Sequence, residues 1–257
     1  MRNPKIIILT IYDSYYPRMI IDGLKENGHA PEHVFIGSPV AKKWFKLRSI
    51  RSVIKHHGYL EVVKRFLDRR KENATAGIFP TLAPLSEMSA THEFKLSEYD
   101  FINSGRFMAE LRSLKPDILI LAGCGVVNAM TISSASIGCI NGHPAVLPEA
   151  RGVDVIEWSA IEGYQFGVTA HIVEEKVDAG DILSSSIVQP EKGESLAAFR
   201  NRMIVLQAEE VVKAATDLAN GTHQLQRNDI SQSKLYFVTN RKNRREARQK
   251  FAELTKK

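Results

Sequence analysis

The chain predicts an α/β protein, with a Rossmann-like, mostly parallel sheet and helices on both faces. Two observations carry this. Short apolar runs, Lys5–Tyr12 (KIIILTIY) and Asp117–Ala122 (DILILA), read as buried strands. Between such runs lie longer stretches whose apolar residues recur every three or four positions, and that alternation marks strand–helix units. The bulk numbers agree. At 257 residues, with 44% hydrophobic and 25% charged residues, the chain has the make-up of a globular protein with a substantial core.

The elements follow in order. After the first strand, Pro17 opens a helical pattern of Met19, Ile20, Ile21 and Leu24 that ends near Gly28. His33–Gly37 (HVFIG) is a short second strand. Trp44, Phe45, Leu47, Ile50, Val53 and Ile54 then fall at helical spacing, and a further helix is expected over Tyr59–Arg70. Ala74–Ala90, with Pro80, Pro84 and several serines, reads as loop. From Asn103 the pattern becomes regular. Asn103–Leu114 is a helix capped by Asn103 or Ser104, Ile137–Asn141 a strand, Val155–Glu162 a helix, Phe166–Glu174 and Ile182–Val188 strands. Ser195–Asn220 is a long helix ended by Gly221. Trp158, Phe166 and Val173 read as core. The expected division is a body over residues 1–221, with a basic helical insertion at 41–75, and a short basic C-terminal extension over 222–257.

Net charge is +6, unevenly spread. Residues 41–75 hold eleven Lys/Arg against three Asp/Glu, and residues 222–257 hold ten against three. Such segments are read first as solvated helix faces and second as surfaces for an anionic partner. Trp44, Phe45 and Tyr59, interleaved with Lys and Arg, are assigned to an amphipathic helix in preference to base stacking. The apolar run near the start is far too short to cross a bilayer, so no membrane insertion is expected. Cys124 and Cys139 show no metal-ligand spacing, and a reducing, cytoplasmic setting with no metal is expected.

Chemistry concentrates in two segments, INGHPAVLPEARG (140–152) and GVTAHIVEEKVDAG (167–180). They set an amide (Asn141), an imidazole (His143) and a carboxylate (Asp178) at the ends of predicted strands. In α/β sheets ligands sit at the carboxyl ends of strands, and Gly123 falls at another such end. An amide donor, an imidazole and a carboxylate are what stabilising a tetrahedral oxyanion and moving its protons require. Taken alone, a histidine after an asparagine, or an aspartate before Ala-Gly, is more often structural.

Together the residues resemble one family closely. The pattern I-N-x-H-P-[SA]-x-L-P-x-x-R-G followed by G-V-T-x-H-x-V-x-x-x-x-D-A-G-x-I-L is similar to that of the formyltransferases using N10-formyltetrahydrofolate. These include glycinamide ribonucleotide, methionyl-tRNA and sugar-nucleotide formyltransferases. KPDILILAG (115–123) matches upstream, and the likeness spans Asn103 to Gly221. The resemblance implies Asn141, His143 and Asp178 as the catalytic set, with protonated His143 and Asn141 donating to the formyl oxygen. It implies that N10-formyltetrahydrofolate, as co-substrate, is held mainly by backbone of the loops Cys124–Asn128 and Glu174–Asp178. Gly123, Val126, Asn128, Glu174, Glu175 and Asp178 are the expected cofactor-binding positions. Arg151 and Gly152 are candidates to meet the acceptor, and His171 is expected to support the sheet. Gly142, where the family carries a bulkier apolar residue, is expected to add local freedom.

The acceptor is narrowed by departures. The segment after the first strand, Thr10–Pro17, has no glycine to admit a phosphate, unlike glycinamide ribonucleotide enzymes. Thirty-six tail residues cannot form the barrel that methionyl-tRNA enzymes carry. By exclusion the expected acceptor is a nucleotide-linked amino sugar, with the basic insertion facing its diphosphate. Formylation of another amine (an amino acid, a peptide, glycinamide ribonucleotide or an aminoacyl-tRNA), formyl-folate hydrolysis, and a non-enzymatic folate- or RNA-binding role stay open, as does a homodimer.

Overall fold

In the structure, a computed structural model, residues 3–64 and 82–256 are described. β1 (Ile6–Thr10), β2 (His33–Gly37) and β4 (Ile118–Leu121) are buried along their whole lengths. Helices cover both of their faces, so apolar residues run on without alternation. The remaining strands are β3 (Lys95–Tyr99), β5 (Gly138–His143), β7 (Gly167–Ile172) and β8 (Ile182–Ile187). They complete a seven-stranded sheet in the order β3-β2-β1-β4-β5-β7-β8. The first five strands are parallel, and β7 and β8 continue antiparallel, so the sheet is mostly parallel as expected.

Because side chains alternate along a strand, the sheet has two distinct faces. Ile6, Ile8, Val34, Ile118, Ile120 and Ile140 pack against α1 (Tyr15–Glu26) and α7 (Leu196–Asn220). Ile7, Leu9, Phe35, Leu119, Leu121 and Cys139 pack on the other side with Phe107 and Leu111 of α4 (Gly105–Ser113). Ser104, rather than Asn103, caps α4, accepting from Phe107 N at 3.3 Å.

The basic insertion begins as α2 (Pro39–His57), and residues 59–64 are helical again; the rest of the expected Tyr59–Arg70 helix lies outside the described residues. α2 is less amphipathic than its spacing suggests, with only Ala41 and Val53 buried and Trp44 and Leu47 exposed. The stretch expected as loop up to Ala90 instead contains α3 (Leu85–Thr91). Leu85 and Met88, three residues apart, reach the core, and the Asp13 carboxylate accepts Leu85 N. That cap comes from 72 residues away, so nothing local announces the helix. β3 was likewise hidden, because this edge strand reads KLSEY and only Tyr99 is buried.

Beyond β5 come β6 (Ala150–Gly152) and α6 (Val155–Glu162). The tail folds onto them. β9 (Lys234–Tyr236) pairs in parallel with β6, and α8 (Arg241–Leu254) places Phe251 against Phe199 (ring centroids 4.9 Å) and Phe166 (5.6 Å). Phe166 is core, as expected.

Candidate active site

The site grows from the alternation of β5. Ile140 and Gly142 face α7, whereas Cys139, Asn141 and His143 face the opposite side. In register, Asn141 lies beside Leu121, the last residue of β4, and opposite His171 of β7. His143 lies opposite Thr169. Thr169 Oγ1 donates to Ala145 O (2.8 Å) and accepts from Leu147 N (3.2 Å), tying the loop after β5 to β7.

Gly142 is required by space. A Cβ there would stand 2.6 Å from Tyr16 Oη and 2.6 Å from Val211 Cγ2, and Gln207 Nε2 donates to its carbonyl at 2.6 Å. The glycine serves close approach of α7 beneath the site, in place of the expected local freedom.

The three expected catalytic residues come together, with His171 as a fourth member. His143 Nδ1 is 3.5 Å from Asp178 Oδ2, and His171 Nε2 is 3.6 Å from Asp178 Oδ1. Gly152 N donates to Asp178 Oδ2 at 2.8 Å. His143 Nε2 donates to Ala150 O at 2.7 Å, so its ring nitrogens face a carbonyl and a carboxylate, not open space. His171 Nδ1 donates to Ile172 O at 2.7 Å, which leaves Nε2 free to accept from Asn141 Nδ2 at 3.4 Å. Asn141 is thereby oriented, and it is half-buried where His143 is 3% exposed. His171 does more than support the sheet.

Burial works against both charges. It pushes the Asp178 carboxyl up, but the adjacent His143 charge, the His171 ring and the Gly152 N–H outweigh it and hold the pKa at about 2. For His143 burial wins: its pKa lies below 6.5 despite the Asp178 carboxylate and the Ala150 carbonyl, with His171 and Arg151 adding to the lowering. The carboxylate persists at all ordinary pH, and the ring is the group that gains and loses a proton.

The expected cofactor loops reach the same face. Val173 packs against the cluster containing Cys124 and Val127. Gly123, Val126, Glu174 and Glu175 are exposed. Asn128 is committed differently: its side chain accepts from Thr131 N (2.9 Å) to start α5 (Ala129–Ile132). Asn103 staples this loop, donating to Val126 O (3.1 Å) and accepting from Asn128 N (2.9 Å). Arg151 lies along the protein, bonding Ser233 Oγ (2.8 Å) and Val177 O (2.9 Å), and the Gly152 N–H serves Asp178. Among the described residues no group of His, Cys, Asp and Glu is placed to hold a metal ion. No described helix is long and apolar enough to cross a membrane.

Residues 102–216 match the family model described as Formyl transferase, which bears out the resemblance over that span. The chain is 26% identical over 202 residues to a methionyl-tRNA formyltransferase of Lachnospira eligens, covering 78% of this chain and 62% of that protein. It is 30% identical over 141 residues to another from Ruminiclostridium cellulolyticum, covering 54% and 45%. The chain thus spans about half to three-fifths of the length of these relatives. Its fold is shared with a sugar N-formyltransferase from a Shewanella species (TM-score 0.62, 14% identity, 96% of this chain and 87% of that one). It is shared too with a glycinamide ribonucleotide transformylase from Symbiobacterium toebii (TM-score 0.59, 17% identity, 85% and 89%).

Proposed function

We propose that this chain transfers the formyl group of N10-formyltetrahydrofolate to a primary amine, and that the amine belongs to a nucleotide-linked amino sugar. The observation that carries the first part is the convergence of Asn141, His143 and Asp178 at the end of β5, within the formyl transferase segment.

The amine nitrogen bonds to the formyl carbon, and the carbonyl π pair moves to the formyl oxygen. The half-buried Asn141 amide, its orientation fixed by His171, donates to that oxygen as charge develops. The attacking nitrogen must lose a proton and N10 of the folate must gain one before the C–N10 bond breaks. The proton leaves the amine by way of the half-buried Asp178 carboxylate, whose Oδ2 faces His143 Nδ1; Nδ1 takes it, and the imidazolium so formed is held between Asp178 and Ala150 O. N10 leaves protonated, and the products are a formamide and tetrahydrofolate.

The acceptor reading rests on charge. Lys43, Lys46, Arg48, Arg51 and Lys55 of α2 are exposed, and a diphosphate accepts strong charge-assisted hydrogen bonds. The Shewanella protein of like fold is named a sugar N-formyltransferase. The second reading, an aminoacyl-tRNA acceptor, is favoured by the names of the relatives.

The test is tetrahydrofolate release from N10-formyltetrahydrofolate, with nucleotide-linked amino sugars, glycinamide ribonucleotide and methionyl-tRNA offered in turn. Asn141→Ala and His143→Ala should each lower kcat about a hundredfold or more, roughly 3–4 kcal/mol of barrier, with folate binding little changed. Wild-type turnover in either variant removes the catalytic assignment. Release without amine would make the protein a hydrolase.

A further inference from the structure

We infer that the C-terminal extension is part of the active site, and that Asn228 within it is a positioning residue for the Asp178 carboxylate. Asn228 is 6% exposed, and its side-chain nitrogen donates to two backbone carbonyls, Asp178 O at 3.2 Å and Gly180 O at 3.0 Å. Its own backbone N–H donates to Asp181 Oδ1 at 3.3 Å. One amide therefore spans the whole turn that presents Asp178, from a site 50 residues further along the chain.

The turn has reason to need this. Asp178 sits at φ 49, a left-handed conformation that a non-glycine residue holds only when its surroundings impose it. The bonds that impose it come from the extension. Gln226 and Ile182 exchange backbone hydrogen bonds at 2.8 Å each way, pinning the exit of the turn. The Arg151 guanidinium joins Val177 O at its entrance to Ser233 Oγ of the extension. β9 holds β6, and β6 supplies the Gly152 N–H that binds Asp178 Oδ2. Residues 226–236 thus bond the catalytic turn directly at its centre and exit, and at its entrance through Arg151.

A hundredfold loss of rate follows from misplacement of about 1 Å, so releasing this turn should be read in turnover. The kinetic consequence rests on the formyl-transfer reading; the structural one does not. Asn228→Ala should lower kcat about tenfold to a hundredfold, with KM for the formyl donor nearly unchanged. Asn228→Asp keeps the shape but sets a carboxylate against two carbonyls, and should lose more than Asn228→Ala. As the carboxylate loosens, the His143 imidazole should titrate at lower pH, because Asp178 is the charge that favours its protonated form. That shift is read by NMR of the labelled imidazole in the intact chain, without any substrate. Ser233→Ala, at a half-buried position, is the milder variant if Asn228→Ala does not fold, and should shift both readouts in the same direction. If the wild type releases no tetrahydrofolate with any amine, the proposed function fails, and the His143 titration still decides this inference. Unchanged kcat and an unmoved His143 titration in folded Asn228→Ala, or in Ser233→Ala where that variant replaces it, overturn it.

Discussion

The two basic segments look alike as sequence, yet their described residues sit differently against the core. Residues 41–75 and 222–257 carry similar excesses of Lys and Arg. On α2 the cations stay outside: Lys43, Lys46, Arg48, Arg51 and Lys55 are exposed, and so is Trp44, at 49%. In the tail Arg244 is buried beside Glu61 (3.0 Å) and donates to Thr239 O (3.1 Å), while Phe251 is 1% exposed. A guanidinium can be buried when a carboxylate and a carbonyl meet its fork, whereas exposed ammonium groups keep their hydration. Net charge therefore says nothing about which attachment belongs to the core. The two are also joined, since Glu61 follows α2 directly and His57 bonds Val238 O.

The largest test of this contrast is stability. Phe251→Ala removes a ring packed against Phe166 and Phe199 and should cost about 3–5 kcal/mol in urea unfolding. Trp44→Ala, exposed and in edge contact with Phe101 at 5.9 Å, should stay within about 0.5 kcal/mol. Equal losses would mean that α2 is as integral as the tail. Glu61→Ala removes a charge-assisted hydrogen bond at 3.0 Å to the buried Arg244 guanidinium and should cost about 1.5–3 kcal/mol.

The sheet was legible because its central strands are uninterrupted apolar runs, and a run of Ile, Leu and Val has few other uses. The candidate trio Asn141, His143 and Asp178 was legible through motif resemblance, and the two-residue period of β5 then puts Asn141 and His143 on one face. What stayed hidden depends on contacts distant in sequence. α3 is capped by Asp13, β3 is a polar edge, and Asn228 lies in a stretch with no periodicity. The sequence suggests only sheet support for His171, although its register opposite Asn141 places it beside Asp178. Gly142 was visible as a departure, but its reason, the Tyr16 hydroxyl and Val211 beneath it, needs the packing of three elements.

A second test asks what the exposed cations of α2 are for. Reversing Lys43 and Lys46 to Glu should leave urea unfolding unchanged and raise KM for a nucleotide-linked amino sugar, by about 1–2 kcal/mol in total for exposed charges. The effect should shrink with added salt, because exposed charges are screened over about 8 Å at physiological ionic strength. Unchanged KM at low salt would detach α2 from the acceptor. A loss seen only with methionyl-tRNA would move the acceptor to the second reading.

The smallest expected effect separates the two segments at the level of protons. His143 titrates below 6.5 because burial disfavours its charged form. The neutral ring therefore persists to lower pH than an ordinary imidazole would, and the acid limb of kcat/KM should lie below 6.5. Asp178→Asn removes the charge that opposes burial, so in the activity remaining the limb should move lower still. Asn228→Ala should move it the same way by less, since the carboxylate is loosened and not lost. Reversing Lys43 and Lys46 should not move it, because their charges act through solvent. A wild-type limb at or above 6.5 would mean that the Asp178 charge outweighs burial. Were the limb above 7, His143 would be mostly imidazolium at neutral pH, and a different group would have to take the proton from the attacking amine.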